Sequence, residues 1–297
     1  MRAVRAHGST PDTLALETLE VPVPETGEVL VEIHAAAVTR DELTWPEDRL
    51  PAIPSYEISG VVAEIAPEVE HLSVGDAVYA LMRFDRDGGA AEFAVVAADA
   101  LAGKPQRLDH TAAAALPLAG LSAWQGLFDH GKLTAGQRVV IHGATGGVGH
   151  LATQLARWRG AHVIATVTGA RRHEATRLGA HEVLDPRDWL DAGLEPVDLV
   201  FDTSGGELLA QSAQIVRDGG RLVSVAEEPP PEVAARVDAG FFIVEQSGQQ
   251  LDELARLVDE GAVRPAIDAV FALDEAQAAF ERSMQRGKQG KVVLRIM

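Results

Sequence analysis

The stretch Val139-Val140-Ile141-His142-Gly143-Ala144-Thr145-Gly146-Gly147-Val148-Gly149-His150 constrains the fold of this chain more than any other. A short apolar run ends in a glycine cluster, and residues 151–158 then continue with helical spacing. Strand, tight turn and helix in that order form the setting in which a glycine-rich sequence becomes a dinucleotide phosphate site. Gly146 would let the backbone approach a pyrophosphate, and Gly149 would let the new helix pack close to the strand. The free N–H groups at the helix start would then face the anion. Ala144 stands where the usual pattern has its first glycine, giving Ala-x-Gly-x-x-Gly. Outside this setting, the same glycines would fit a purely structural turn.

Composition narrows the rest. At 297 residues, 46% of them hydrophobic, the chain suits one large or two medium domains. No apolar run reaches the ~18–20 residues needed to span a bilayer. The segment Met1-Arg2-Ala3-Val4-Arg5-Ala6-His7 lacks the continuous apolar stretch of a secretory signal. A soluble, cytoplasmic protein with no membrane partner is therefore expected. The formal charge of −18 argues against a nucleic-acid partner and means that an anionic cofactor needs a local basic site. The absence of cysteine excludes disulfides, thiolate nucleophiles, iron–sulfur clusters and cysteine-based zinc sites. The ten histidines show no His-x-x-x-His or His-Glu-x-x-His spacing, so no catalytic metal is expected.

Short β-branched runs at 14–21, 28–35, 58–65, 76–81 and 92–96, separated by Pro/Gly/Asp-rich turns, suggest a compact all-β unit. Residues 111–131 read as a helix pair. From 138 onward strands at 138–142, 162–167, 182–184, 199–202, 221–226 and 241–245 alternate with helices at 151–159, 171–178, 207–216 and 249–259. That alternation predicts a parallel sheet covered on both faces. A last strand–helix–strand segment, 265–271, 273–286 and 291–296, is expected to return to the first domain.

Several of these residues carry a family resemblance over essentially the whole length. Pro51-Ala52-Ile53-Pro54-Ser55-Tyr56-Glu57-Ile58-Ser59-Gly60-Val61-Val62, Val74-Gly75-Asp76-Ala77-Val78-Tyr79-Ala80 and Ala115-Leu116-Pro117-Leu118-Ala119-Gly120-Leu121-Ser122-Ala123-Trp124 belong to it. So do the Gly143–Gly149 turn, Leu178-Gly179-Ala180 and Gly290-Lys291-Val292-Val293-Leu294. The chain resembles the zinc-independent medium-chain dehydrogenases/reductases, close to the quinone oxidoreductases, and the Ala-x-Gly-x-x-Gly variant resembles that branch. The resemblance implies an α/β fold: a GroES-like β-rich catalytic domain at 1–115, joined by 265–297, and a Rossmann doubly wound parallel sheet at 116–264. It also implies a cleft between the two domains and a homodimer through the strand at 241–245. Zinc-containing members carry a cysteine ligand near position 38, Gly-His-Glu at the equivalent of Ser55-Tyr56-Glu57, and a four-cysteine lobe. None of these is present.

In a Rossmann unit an acidic residue near the end of the second strand binds the ribose 2′-hydroxyl and selects NAD. Here Thr168-Gly169-Ala170-Arg171-Arg172 follows that strand, and no carboxylate appears before Glu174. Guanidinium groups suit a 2′-phosphate, so NADP(H) is expected. The competing reading makes Arg171 and Arg172 solvated residues opening a helix, although cations there oppose the helix dipole. Cofactor contacts are expected from Ala144, Thr145, Gly146, Gly147, Val148, Thr168, Arg171 and Arg172. Thr203 and Val225, at strand ends, join them. By resemblance, Phe242 and Ile243 line the nicotinamide amide, Ser122 lies near the nicotinamide or caps a helix, and Lys291 lies near the cofactor phosphates or is a surface lysine.

Hydride transfer is the cofactor's chemistry, and the protein supplies orientation and electrostatics. Without zinc, hydride can go to the β-carbon of a conjugated enone or to a quinone. The expected catalytic candidates are Tyr56, Asp41 and Thr39. Tyr56 stands at a zinc-ligand position and either donates to a developing oxyanion or fills the metal's space. Thr39 and Asp41 match an Asn-x-x-Asp-like pattern of the family, where the acid more often orients a loop. An enoyl-type reductase of a polyketide-like intermediate and a non-catalytic NADPH-binding sensor are the alternatives.

Overall fold

The computed structural model describes residues 1–45, 48–285 and 287–297. The chain divides into two compact units, one of Met1–Leu118, Gln246–Gly261 and Pro265–Met297, the other of Ala119–Glu245 and Ala262–Arg264.

Unit 1 begins with an antiparallel pair, β1 (Arg2–Ala6) and β2 (Leu14–Thr18), with Val4 opposite Leu16. The 11-residue β3 (Glu28–Val38) pairs antiparallel with β4 (Glu57–Ile65), which pairs in turn with β5 (Ala77–Leu81). β6 (Phe93–Ala97) also pairs with β3, and β7 (Leu101–Gly103) pairs with β5. The middle of β3 alternates, Val31 and Ile33 inward with Glu32 and His34 half-exposed, as a strand with one wet face should. Its second half, Ala35–Val38, is buried on both faces. The small side chains of Ala35 and Ala37 let Ala114 and Ala115, at the end of the helix His110–Ala114, pack directly on the sheet. The sequence run for this strand stops at 35 because alternation stops there, whereas the strand continues under its helical cover.

Unit 2 contains β8 (Arg138–His142), β9 (His162–Thr166), β10 (Glu182–Leu184), β11 (Val197–Asp202), β12 (Val216–Ser224) and β13 (Asp238–Phe241). They form one six-stranded parallel sheet in the order β10-β9-β8-β11-β12-β13. This is the doubly wound 3-2-1-4-5-6 arrangement, whose switch point lies between its first and fourth strands, here β8 and β11. Val140, Ile164, Val200 and Leu222 from four strands pack with Trp189, Leu209, Ile215 and Val233 in its core. Strands buried on both faces read as continuous apolar runs, which is why the sequence places most of them closely. The strand expected at 241–245 instead ends at Phe241, and Asp238–Phe241 forms the sheet edge.

The chain then returns to unit 1 as β14 (Ile267–Ala272) and β15 (Lys291–Arg295). β15 runs antiparallel to β3, with Val293 opposite Ala37. Between them lie a turn, Leu273–Glu275, and a helix, Ala276–Met284; Arg286, the expected end of that helix, lies outside the described residues, as do Pro46 and Glu47. Helix Gly248–Asp259, expected in the nucleotide-binding half, belongs to unit 1, where the Leu251 carbonyl accepts a 2.5 Å hydrogen bond from the Tyr79 hydroxyl. No helix among the described residues is long and apolar enough to cross a membrane.

Candidate functional site

The loops at the carboxyl ends of the parallel strands gather most of the cofactor candidates in unit 2. After β8 the chain turns at Gly143, whose φ of 69° favours glycine. The Gly146 N–H bonds the Gly143 carbonyl at 2.8 Å, and the helix Gly149–Trp158 starts immediately. A Cβ on Gly149 would lie 2.1 Å from the Gly143 carbonyl oxygen, so only glycine permits this close approach of helix and turn. A Cβ on Gly146 would meet that oxygen at 3.2 Å and nothing else within 4 Å. One glycine therefore builds the turn, and the other leaves backbone open to a ligand. Gly147 and Val148 lie at the helix start, where the first N–H groups have no intrahelical acceptor. Ala144 and Thr145 are buried beneath them. An open glycine beside unused N–H donors fits a pyrophosphate.

The two arginines separate. Arg171 reaches back to the turn, its Nη1 donating to Thr145 Oγ1 at 3.4 Å. Arg172 and Thr168 are exposed, and the Arg172 charge helps hold the Asp185 carboxyl low, behind the stronger effect of Arg187. Only Arg171 is thus brought to the glycine turn.

After β11, Thr203 Oγ1 donates to the His142 carbonyl at 2.7 Å and ties that loop to β8. Asp202, fully buried, accepts from the N–H groups of Ser204 and Gly205 and from Ser224 Oγ; burial nonetheless holds its carboxyl above the ordinary range. The Val225 N–H bonds the Asp202 carbonyl at 3.1 Å. Beyond β13, Phe242 is buried against the His130 ring at 4.3 Å, while Ile243 is 68% exposed. Ser122 is not a helix cap: it lies buried inside the helix Pro117–Trp124. That helix runs into a widened π-type turn, Gln125–His130, a feature frequent at functional sites. Gln125 holds both backbone groups of Glu245, donating to its carbonyl at 2.9 Å and accepting from its N–H at 3.0 Å. The 242–245 segment is thereby anchored to the element that carries Ser122, a role for Gln125 that no local motif announces.

The catalytic candidates fall in unit 1. Lys291, expected near cofactor phosphates or at the surface, is neither exposed nor free: its ammonium is ion-paired with Glu57 and donates to Thr39 Oγ1 at 2.9 Å. The Lys291 and Glu57 side chains are 6% and 1% exposed. Glu57 also accepts from the Leu118 N–H at 2.9 Å and from Thr39 at 3.4 Å. Its burial compels a cation beside it, because an unpaired carboxylate in that environment is strongly disfavoured.

Asp41 is exposed, and its carbonyl closes the short turn Glu42–Thr44 by accepting from Thr44 N and Oγ1. The buried acid is its neighbour. Glu42 is 1% exposed, and neither carboxyl oxygen has a hydrogen-bond partner. A backbone donor of Thr39 lies near enough to favour the charged form but outside hydrogen-bond geometry. Burial, reinforced by the Glu57 and Asp41 charges and opposed by Lys291, pushes the Glu42 carboxyl well above the ordinary range. The signal was in the spacing: three residues on from Thr39, as Asn-x-x-Asp requires, is Glu42 and not Asp41.

Tyr56 is fully buried in an aromatic cluster, 5.7 Å from the Trp45 ring and 5.4 Å from that of Phe84. Its hydroxyl accepts from Arg49 Nη2 at 3.4 Å, and burial raises its pKa. It therefore keeps its own proton at neutral pH. Among the described residues no group of three or more His, Asp or Glu side chains could hold a metal ion.

Residues 25–106 match the alcohol dehydrogenase GroES-like domain, and residues 178–294 match the zinc-binding dehydrogenase family. In sequence, 96% of this chain aligns at 32% identity with 94% of a probable zinc-binding oxidoreductase, mitochondrial, of Arthroderma benhamiae. The chain is a medium-chain dehydrogenase/reductase. Among solved structures of such proteins, the quinone oxidoreductase of Coxiella burnetii superposes with a TM-score of 0.93 at 29% identity, covering 100% of this chain and 99% of that one. The CurK enoyl reductase superposes with a TM-score of 0.88 at 26% identity over 100% of this chain and 99% of its own. The medium-chain dehydrogenase/reductase fold thus pairs a GroES-like unit with a parallel nucleotide-binding sheet, and this chain is an oxidoreductase of the quinone oxidoreductase-like kind.

Proposed function

We propose that this protein is an NADPH-dependent reductase that delivers hydride, without a metal, to a quinone or an α,β-unsaturated carbonyl. The observation that carries the cofactor choice is Arg171, drawn to Thr145 in the glycine turn where a selecting carboxylate would otherwise stand. The N–H groups of Gly147 and Val148 would hold the pyrophosphate, and Arg171 would meet the 2′-phosphate. Thr203, Val225 and Phe242 line the same carboxyl edge. The cofactor, when bound, supplies the hydride. In unit 1 the buried, neutral Tyr56 hydroxyl accepts from Arg49 and is left with its proton to donate to a carbonyl oxygen.

The metal-free reading rests on the lack of cysteine and on Tyr56 at a zinc-ligand position. The printed name of the Arthroderma relative describes that relative. Its mitochondrial label also leaves the cytoplasmic location of this chain a reading from sequence. A homodimer through β13 is supported by its position at the sheet edge and by the exposure of Phe241 and Ile243 beside it.

A second reading, an enoyl reductase acting on a biosynthetic thioester, is favoured by the likeness to CurK. One assay separates the two: oxidation of NADPH is followed with quinones, simple enones and enoyl thioesters. Turnover on quinones or enones supports the first reading. Turnover restricted to enoyl thioesters replaces it with the second.

A further inference from the structure

The side chains of the Thr39–Glu57–Lys291 centre of unit 1 satisfy one another, whereas the Glu42 carboxyl finds no partner. Glu57 takes Lys291, Thr39 and the Leu118 N–H. Thr39 accepts from Lys291 and donates to Glu57. The Tyr56 hydroxyl accepts from Arg49. Among the described residues, Glu42 alone keeps a fully buried carboxyl with both oxygens unpartnered. Buried polar atoms are hydrogen-bonded in the great majority of proteins, so an exception of this size calls for a use.

The charge inventory says what the use is. The groups facing Glu42 are Lys291, Glu57 and Asp41, with Tyr56 close enough to feel its charge. One ammonium is already matched by one carboxylate, that of Glu57. Ionising Glu42 as well would leave a second negative charge buried against the first. Burial without a partner therefore favours the neutral acid, a donor with no acceptor among the described residues. Once that proton is given away, the nearby Lys291 ammonium is the group that stabilises the new carboxylate.

We propose that Glu42 is the acid of this site, delivering its carboxyl proton to the substrate while Lys291 is positioned to stabilise the carboxylate left behind. This rests on the reductase reading above. A conjugated carbonyl that accepts hydride at its β-carbon moves an electron pair onto its oxygen. The O–H bond of Glu42 breaks and a new O–H bond forms on that oxygen, giving an enol that relaxes to the saturated carbonyl. Water then restores the Glu42 proton. Hydride and proton together account for the two hydrogens gained, and the reduced nicotinamide is the only reductant required.

Two measurements test it. In the cofactor-free protein, infrared spectra with 13C-labelled glutamate should show the carbonyl stretch of a protonated carboxyl at pH 7, lost in Glu42→Gln. Absence of that band in the wild type overturns the proposal whatever the substrate. In turnover, Glu42→Gln should lower kcat about 100-fold. NADPH affinity and unfolding midpoint should stay unchanged, since a neutral amide replaces a neutral acid. Glu42→Asp, which keeps an acid, should recover part of the loss. Wild-type kcat in Glu42→Gln overturns the assignment of Glu42 and leaves the reductase reading standing. No turnover by the wild type on any conjugated carbonyl overturns the reductase reading itself.

Discussion

Replacing Lys291 with methionine separates two roles that the sequence leaves open. Methionine keeps most of the stem's volume and removes the ammonium from a carboxylate that is 1% exposed. Breaking a buried ion pair from one side typically costs about 3–5 kcal/mol, because the remaining charge is stranded. The Leu118 N–H still bonds Glu57 and offsets part of this, so the lower end, about 3 kcal/mol, is expected. At roughly 2–4 °C per kcal/mol for domains of 150–250 residues, the melting temperature should fall by about 6–12 °C. The double variant Glu57→Gln with Lys291→Met removes both charges while keeping an acceptor for Leu118. It should recover most of the loss, since neutral replacements of buried pairs are often close to neutral in stability. The assay is urea unfolding of the wild type, both single variants and the double variant, alongside NADPH titration of each. An unchanged unfolding midpoint in Lys291→Met, with NADPH affinity weakened tenfold or more, would refute the reasoning and return Lys291 to the cofactor phosphates.

Further outcomes are expected at three places: the glycine turn, the Arg171–Arg172 pair and His142. Gly149→Ala places a Cβ 2.1 Å from the Gly143 carbonyl oxygen and should destabilise by about 3 kcal/mol in urea unfolding. Gly146→Val meets only a 3.2 Å contact at Cβ, so it should fold with a near-normal midpoint yet lose measurable NADPH binding in calorimetry. Arg171→Ala should weaken NADPH by about ten- to hundredfold, matching a charged hydrogen bond of ~1.5–3 kcal/mol, and should leave NADH little changed. Arg172→Ala should do far less to either cofactor. His142 is fully buried between Thr166 and Ser212, and burial lowers its pKa to about 3. In the unfolded chain the ring protonates near 6.5, so between roughly pH 6.5 and 3 the unfolded state binds the extra proton and stability falls with pH. The full effect is on the order of 5 kcal/mol. His142→Gln should flatten that slope in urea midpoints measured across the window.

How much of this was legible beforehand depended on the distance over which each signal acts. Strands β8 and β9 and the Gly143–Gly149 turn are written locally, as an apolar run meeting glycines, and the sequence locates them closely. The end of β3 is not local. Ala35–Val38 look like any alanine-rich stretch until Ala114, Ala115 and Val293 cover them. Lys291 reads as a cofactor or surface residue because its partners, Glu57 and Thr39, lie more than 200 residues earlier in the chain. Arg171 and Arg172 are indistinguishable as neighbours, and only the fold brings one to Thr145 and leaves the other exposed. Asp41 and Glu42 pose the same difficulty. The turn Glu42–Thr44 buries one carboxylate and exposes the other, a choice that the Asn-x-x-Asp spacing recorded and composition could not.

The glycine turn and Arg171 together should make this chain a selective NADPH binder. Equilibrium titration of the wild-type protein with NADPH and NADH in one buffer tests it most directly. Binding of NADPH at least tenfold tighter than NADH is the result the structure leads us to expect. Equal affinities, a preference for NADH, or no binding of either would contradict it.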